Sequence, residues 1–424
     1  MAAAGNRAHE EERALQHSPP MSTSHGWRAR VADWPLLQNG FRPFFLGAAI
    51  WLPIALLVWL ALLTRFLPWA PAMHALAWHQ HAALFGGIGA VVAGFLLTAI
   101  PSWTGRPPLR GPALLALFLV WLLARLAGLL PGAAAALLAL LADAGFYGTL
   151  CGLAWREILA GNNRRNIPVA LLSSLLALGS VLSRLDPFLG SLPGDFGRRL
   201  GLAVILMLIA LIGGRIVPAF TRNWLMRQGR RKLPAEWGVW DKSTLLVWAV
   251  TLSIWLPSSS VAAGILFLLS GILHLLRLAR WQGRATLAEP LVAVLHVGYA
   301  WLGIGGLLYG AALLGWGLPS STAFHAFTTG AFGTMTLAVM TRASLGHTGR
   351  PLAADRATSL VYLLVIVGAA LRLLAPIWWE DTALALGIPA LLWGGAYALF
   401  AIRFGPMLLT PRLTKVNSRE SGRR

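Results

Sequence analysis

Twelve hydrophobic stretches, most of them about 20 residues long, follow one another between residues 43 and 406. A hydrocarbon core about 30 Å thick needs roughly 20 apolar residues in a helix, and backbone groups inside lipid must form their hydrogen bonds internally. The pattern therefore predicts an all-α, polytopic membrane helical bundle with about 12 transmembrane helices. The expected spans are 43–64, 75–100, 112–131, 133–155, 167–183, 199–221, 243–257, 261–281, 290–314, 319–341, 357–376 and 383–405.

Loop charge predicts the orientation of this bundle, because Lys and Arg favour the cytoplasmic side of a membrane. Most of the 35 Lys and Arg residues fall in alternate loops and in the two tails. Both termini are therefore expected in the cytoplasm. We divide the chain into a flexible polar cytoplasmic tail at 1–40, a transmembrane helical domain at 41–406 and a basic cytoplasmic tail at 407–424.

The formal net charge of +20 raises the alternative of nucleic-acid binding. The charge is spread over loops on one side, and no basic DNA-binding module is evident. Membrane topology and attraction to anionic lipid account for it. Charged residues make up 12% of the chain and hydrophobic residues 57%, which also favours a membrane protein.

Polar groups inside the spans are the first candidates for function, because burying them in lipid is expensive. Asp143 is the main carboxylate well inside a span, while Arg125, Arg215 and Arg372 are the basic residues within spans. The single cysteine, Cys151, excludes an internal disulfide framework and a Cys-rich metal site. No internal repeat or phosphate-binding glycine motif is evident.

Seven histidines outside the N-terminal tail divide into two groups by their expected depth. One group lies near the outer face and the other near the cytoplasmic face, as two separate metal or cofactor sites would require. Histidine binds zinc, copper and iron, and one or two histidines hold haem. The outer group is His74, His79, His81 and His325, and the inner group is His274, His296 and His347.

For the outer face, we predict that His79, His81 and His325 contribute to a metal centre. His79 and His81 are two residues apart and so point about 200° apart on a regular helix. They are therefore expected to face different neighbours, one on a metal and the other hydrogen-bonded or on a second centre. For any one of these histidines, a structural hydrogen-bonding role is an equally good alternative.

For the inner face, we predict a second centre formed by His296 and His347, with His274 as a further partner. Arg215 and Arg342 lie at a similar depth and are expected to bind carboxylates of a cofactor there. A lipid headgroup, or an arginine side chain reaching toward the interface, is the competing interpretation.

Several motifs follow one another in order along the chain. They include Phe-Arg-Pro-Phe-Phe at 41–45 and Trp-His-Gln-His at 78–81. A longer motif runs from His325 to Pro351 and contains Leu-Gly-His-Thr-Gly-Arg-Pro. Together with further matches at 84–86, 94–105, 213–223 and 295–301, these motifs resemble the NnrS family of haem- and copper-containing membrane proteins associated with the response to nitric oxide. The resemblance extends over roughly residues 41–351.

The resemblance implies haem and copper as cofactors, nitric oxide as ligand and a bacterial inner (cytoplasmic) membrane location. It implies a haem/copper-binding protein that binds or redox-processes nitric oxide and protects against nitrosative stress. Electrons would come from a quinol or a protein partner. One departure is that Ala82 and Ala83 stand where the family pattern has an acidic residue and a Met. The alternative function, from another class, is a membrane transporter or channel with a histidine-lined polar pathway.

Overall fold

The computed structural model describes residues 27–67, 71–189 and 195–413. Within these ranges the regular structure is helical and no β-strand occurs. Residues 1–26 and 414–424, which make up most of the two predicted tails, lie outside the described residues together with His9, His17 and His25. The predicted all-α fold is confirmed for the part of the chain that the structure describes.

Twelve long helices fall at the positions of the twelve predicted spans in the described ranges. Their ends differ from the predicted ones by a few residues, as fraying and alternative caps allow. They are α1 (Phe41–Leu63), α2 (Ala75–Thr104), α3 (Gly111–Ala127), α4 (Ala133–Ala160), α5 (Ile167–Leu189), α6 (Phe196–Arg227), α7 (Val239–Trp255), α8 (Val261–Ala279), α9 (Pro290–Leu313), α10 (320–347), α11 (Arg356–Trp378) and α12 (Thr382–Leu409).

Nine of these helices are long and apolar enough to cross a membrane, counted over the described residues. The chain is therefore a multi-pass membrane protein. The other three are α3 and α7, which have 17 residues each, and α10, which carries several Thr and Ser residues and Arg342. A total of twelve spans stays a prediction.

The helices form a closed arrangement in which three of them lie inside. Most of the apolar windows of α2 and α6 are buried, at 78% and 83%, whereas the window of α1 is only 28% buried. The middle of α10 is also buried, and α6 packs against the middle of both α2 and α10. Because α12 packs against α1, the outer helices close around these three.

Both ends of the helical domain meet at one end of the bundle. Arg42 at the start of α1 donates hydrogen bonds of 2.7 Å to the carbonyl oxygens of Leu408 and Thr410. Just before α1, a short helix at Trp27–Ala32 and a helical turn at Pro35–Leu37 lie within the predicted tail, and Leu37 is buried. The two ends therefore lie on the same side, while the cytoplasmic identity of that side stays a prediction.

Each of the three inner helices contains a π-helical segment. These segments are Ala82–Ile88 in α2, Ile209–Gly213 in α6 and Ala326–Phe332 in α10. π-helical segments are rare and often mark functional sites. In chain order the twelve long helices divide into three groups of four, and α2, α6 and α10 are each the second helix of a group. The π-helical segment therefore recurs once in each group, a structural repeat that the sequence pattern did not reveal.

Two further features accompany each π-helical segment. Each of the three inner helices ends near a glycine that has a positive φ and precedes an arginine. These glycines are Gly105, Gly229 and Gly349. A polar side chain from the fourth helix of the group donates a hydrogen bond to a carbonyl oxygen in the segment, which satisfies an acceptor that the wider turn exposes. The pairs are Tyr147 with Phe85, Arg277 with Ala210, and Trp393 with Thr329.

Candidate functional site

A cavity of about 450 Å³ lies at the predicted outer end of the inner helices. This volume is within the usual range of about 300–1,000 Å³ for small-molecule sites. Most of the wall is apolar, and α1, α2, α6, α10, α11 and α12 all contribute to it. Aromatic side chains from three of these helices, Trp59, Phe324 and Trp393, line the wall and suit a flat apolar ligand.

Two of the three histidines predicted for the outer centre line this cavity, His79 from α2 and His325 from α10. The His79 ring stacks on Trp59 with a centroid separation of 4.7 Å, and its Nδ1 is buried with no hydrogen-bond partner among the described residues. The stacking restricts the rotation of the imidazole. A histidine is a suitable metal ligand when its ring is held in one orientation and one ring nitrogen makes no hydrogen bond.

His325 is oriented by its own helix. Its Nδ1 lies 2.6 Å from the carbonyl oxygen of Ser321. A carbonyl oxygen only accepts hydrogen bonds, so Nδ1 carries the hydrogen and Nε2 keeps its lone pair. Metal-binding histidines usually have this arrangement, in which one N–H donates to a carbonyl and the other nitrogen faces the metal.

The charged side chains that line the cavity in the described ranges are all basic. Arg198, Arg199 and Arg372 contribute to the wall, whereas no lining residue in the described ranges is an Asp or a Glu. Arg198 forms an ion pair with Asp195 and donates to Gln80. Arg199 donates to the Trp255 carbonyl oxygen and to Ser259 Oγ, each at 3.0 Å. An occupant with anionic groups fits this environment better than a bare cation does.

His81, the third predicted ligand, is in a separate buried site. Its Nε2 lies 2.9 Å from Asp143 Oδ2, and its Nδ1 lies 3.1 Å from Ser183 Oγ. The carboxylate accepts from Nε2–H, so the Ser183 hydroxyl donates to Nδ1. Both ring nitrogens are therefore occupied, and the structure does not bring His81 together with His79 and His325.

Asp143 is the centre of this buried site and joins four helices. Besides His81 of α2, it accepts hydrogen bonds from Arg125 of α3 and Arg184 of α5, while Asp143 itself belongs to α4. The Asp143 and Arg125 side chains are 0% and 1% exposed. Charges buried this deeply are stable only when they are paired, so the network holds the helices around α2 together.

The inner histidines occur in separate environments. His274 Nδ1 lies 2.9 Å from the Tyr299 hydroxyl, which also accepts a hydrogen bond of 2.8 Å from Arg277. Arg277 in turn pairs with Asp241 at 2.8 Å, and His274 Nε2 is buried without a partner. This network joins α7, α8 and α9 in the same way that Asp143 joins α2 to α5.

His296 is oriented by Thr221 on α6. The Thr221 hydroxyl donates to the Val217 carbonyl oxygen and therefore accepts from His296 Nε2–H, at 2.8 Å in each case. His296 Nδ1 keeps a lone pair that is buried and has no partner in the part of the chain that the structure describes. Only a glycine fits opposite it, because a Cβ at Gly283 would lie 2.8 Å from this nitrogen.

The remaining residues predicted for the inner centre have other contacts. The His347 ring packs on Phe41 with a centroid distance of 5.4 Å. Arg215 donates to Asn166 Oδ1 at 2.9 Å, and the Arg342 guanidinium lies 3.9 Å above the Phe220 ring. Phe220 precedes Thr221, the partner of His296, so Arg342 of α10 and His296 of α9 contact neighbouring residues of α6. Arg215 and His347 are not part of this contact.

No group of three or more His, Cys, Asp or Glu side chains with metal-binding geometry occurs among the described residues. The outer cavity has two histidines in its lining, and one or two imidazoles suffice to hold haem iron. Three threonine hydroxyls of α2 and α10 donate to backbone carbonyl oxygens of their own helices, as is common in membrane helices. These are Thr98 to Gly94, Thr329 to His325 and Thr336 to Phe332.

Arg372 and Arg184 are site residues to which the sequence analysis gave no role. Arg372 lines the outer cavity, and Arg184 pairs with the buried Asp143. The position of Arg372 inside an apolar stretch was the available signal, since an intramembrane charge usually has a functional or structural partner. Arg184 was placed in a loop by the predicted end of the fifth span, whereas α5 continues past it.

The family model described as NnrS protein matches residues 35–412, which is most of the chain. A search of curated proteins found no match. The chain belongs to the NnrS family, as the motif pattern predicted.

Proposed function

We propose that this member of the NnrS family is a nitric oxide-response protein of the bacterial inner membrane that protects against nitrosative stress. In this proposal it binds a haem in the outer cavity and binds or redox-processes nitric oxide there. The observation that carries the proposal is that His79 and His325 line one apolar cavity of about 450 Å³. Family membership supports the nitric oxide response.

The residues of the cavity have distinct roles in this proposal. His325 is the main candidate for the iron ligand, because its Nδ1–H is held by Ser321 and its Nε2 is free. His79, restrained by Trp59, is the second candidate. Ferrous haem, when bound, would supply the binding site for nitric oxide.

Copper is proposed at the inner side, with His296 and His274 as the first ligand candidates. Each has one ring nitrogen beside a hydroxyl and the other nitrogen buried without a partner. Imidazole is a good copper ligand. His347, Arg215 and Arg342 remain predicted members of an inner cofactor site.

We favour nitric oxide binding or redox handling over a committed nitric oxide reductase. Reduction needs protons as well as electrons, and the outer cavity has no acidic residue among its described lining residues. Ala83 lines the cavity where the family pattern has Met, and Ala82 is buried beside it. A quinol or a protein partner is the proposed electron donor.

The test is purification from haem- and copper-replete cells, followed by absorption spectroscopy, copper analysis and anaerobic addition of nitric oxide to the reduced protein. We expect a Soret band that shifts on nitric oxide addition and that is lost in His325→Ala. The matched control is His74→Ala, an exposed histidine near the same face. A protein with neither haem nor copper would overturn the proposal, and substrate flux through vesicles without metal would favour the transporter alternative.

A further inference from the structure

We propose that Arg372 of α11 binds a carboxylate of the porphyrin in the outer cavity, an inference that rests on the proposed function. Arg372 lines the same cavity as His79 and His325, and its charge acts on both imidazoles. Haem carries two propionate carboxylates, and an arginine fork is the side chain best matched to a carboxylate. Arg372 is therefore a cofactor-binding residue in this proposal.

The first argument is that the Arg372 guanidinium has no partner within the described part of the protein. Its Nη1 is buried and makes no hydrogen bond, and Arg372 takes part in no ion pair in the described ranges. A buried charged donor without a partner is costly. The residue as a whole is half-buried, so the unmet hydrogen-bonding capacity is at Nη1 and not over the whole guanidinium.

The second argument is the contrast with the other two arginines of the cavity. Arg198 is neutralised by Asp195, and Arg199 is satisfied by a carbonyl oxygen and a hydroxyl at the end of α7. Arg372 is the member of this set that lacks any such contact. An anionic group entering the cavity gains the most from the guanidinium that has no competing acceptor.

The third argument is the wall beside Arg372. Gly368 lies one turn before it on α11 and also lines the cavity. Its missing side chain lets α12 approach closely, because a Cβ at Gly368 would lie 2.8 Å from the Trp393 backbone nitrogen. This close approach places Trp393 in the cavity wall next to Arg372, and an aromatic wall suits a flat ring.

The experiment compares binding of haem with binding of haem dimethyl ester, in which both carboxylates are esterified. The full-length protein is produced in haem-limited cells, and affinities for both compounds are measured in detergent by absorption titration. The variants are Arg372→Gln and Arg372→Lys. The matched control is Arg356→Gln, which removes an exposed arginine from the same helix. Thermal unfolding of each variant verifies folding.

We expect the wild-type protein to prefer haem over the ester by roughly tenfold or more, as a charge-assisted hydrogen bond of about 1.5–3 kcal/mol implies. Arg372→Gln should remove this preference, Arg372→Lys should keep part of it, and Arg356→Gln should keep all of it. An unchanged preference in Arg372→Gln would overturn this inference and leave the proposed function intact. If the wild-type protein bound neither compound, the proposed function itself would fail. Equal haem binding by all variants with loss of inorganic phosphate binding in Arg372→Gln would assign the site to a free anion instead.

Discussion

His81 of α2 and His325 of α10 occupy matching positions in two inner helices but have opposite environments. Each directly precedes a seven-residue π-helical segment. Each is also followed, at the same distance along the chain, by the sequence Thr-Gly-Arg-Pro, at 104–107 and 348–351. His81 uses both ring nitrogens in a buried ion network, whereas His325 uses one and faces a cavity.

The difference arises from the neighbouring helices and not from the inner helices themselves. Around α2, helices α4 and α5 supply Asp143 and Ser183, which fill the hydrogen-bonding capacity of His81. Around α10, the nearest acceptor for His325 is its own helix at Ser321, and α11 and α12 leave an open space. The same local pattern therefore gives a structural histidine in one place and a candidate ligand in the other.

The largest effect is expected from removing the centre of the α2 network. Asp143→Ala leaves Arg125 and Arg184 buried without their counter-charge, a situation that costs about 3–5 kcal/mol. We expect a large loss of thermal stability in detergent and of protein accumulated in membranes. Glu236→Ala is the control, since the Glu236 side chain is 86% exposed. Equal melting temperatures for the Asp143 and Glu236 variants would contradict the role assigned to this network.

The second prediction separates the two histidines directly. His325→Ala should lower haem binding by tenfold or more with little change in stability, because the hydrogen bond that it loses goes to Ser321 of the same helix. His81→Ala should retain haem binding but lose about 1–3 kcal/mol of stability, since Asp143 and Ser183 lose a buried partner. The measurements are haem titration and thermal unfolding on both variants. If both variants lost haem to the same extent, the two matching positions would not differ in function.

The third prediction concerns the side chains that support the two π-helical segments. Tyr147→Phe removes the donor to the Phe85 carbonyl oxygen, and Trp393→Phe removes the donor to the Thr329 carbonyl oxygen. Each should cost about 1 kcal/mol. Trp393 also lines the cavity, so its variant alone should shift the Soret band. A spectral change in Tyr147→Phe would mean that the two regions are coupled.

The smallest effect is expected at Ala83, the cavity residue that replaces the Met of the family pattern. Ala83→Met places a flexible thioether into an open space, so stability should change by less than about 0.5 kcal/mol. We expect a small shift of the haem spectrum because the cavity wall changes. Loss of haem in Ala83→Met would show that the cofactor needs the space beside Ala83. The control is Leu76→Met, a substitution on the same cavity wall.

Much of the fold was accessible from sequence because membrane insertion depends on local composition. Apolar stretches predicted each of the long helices, and the motif series identified the family. The sequence selected His79 and His325, which line one cavity in the structure, but it assigned no role to Arg372. The roles of these residues as ligands stay predictions. The partners of His81 lie on α4 and α5, and sequence spacing does not tell which helices surround α2.

The sequence by itself determined that the chain is a helical membrane protein of the NnrS family and which histidines are candidate ligands. These properties depend on residues close together in the chain: runs of apolar side chains, clusters of loop charge and short motifs. Tertiary structure alone decided that both ring nitrogens of His81 are occupied by Asp143 and Ser183. It also decided that His325 and His79 share a cavity with Arg372, which has no ion-pair partner among the described residues. The physical reason is that a lone pair is free or occupied according to what distant helices place beside it.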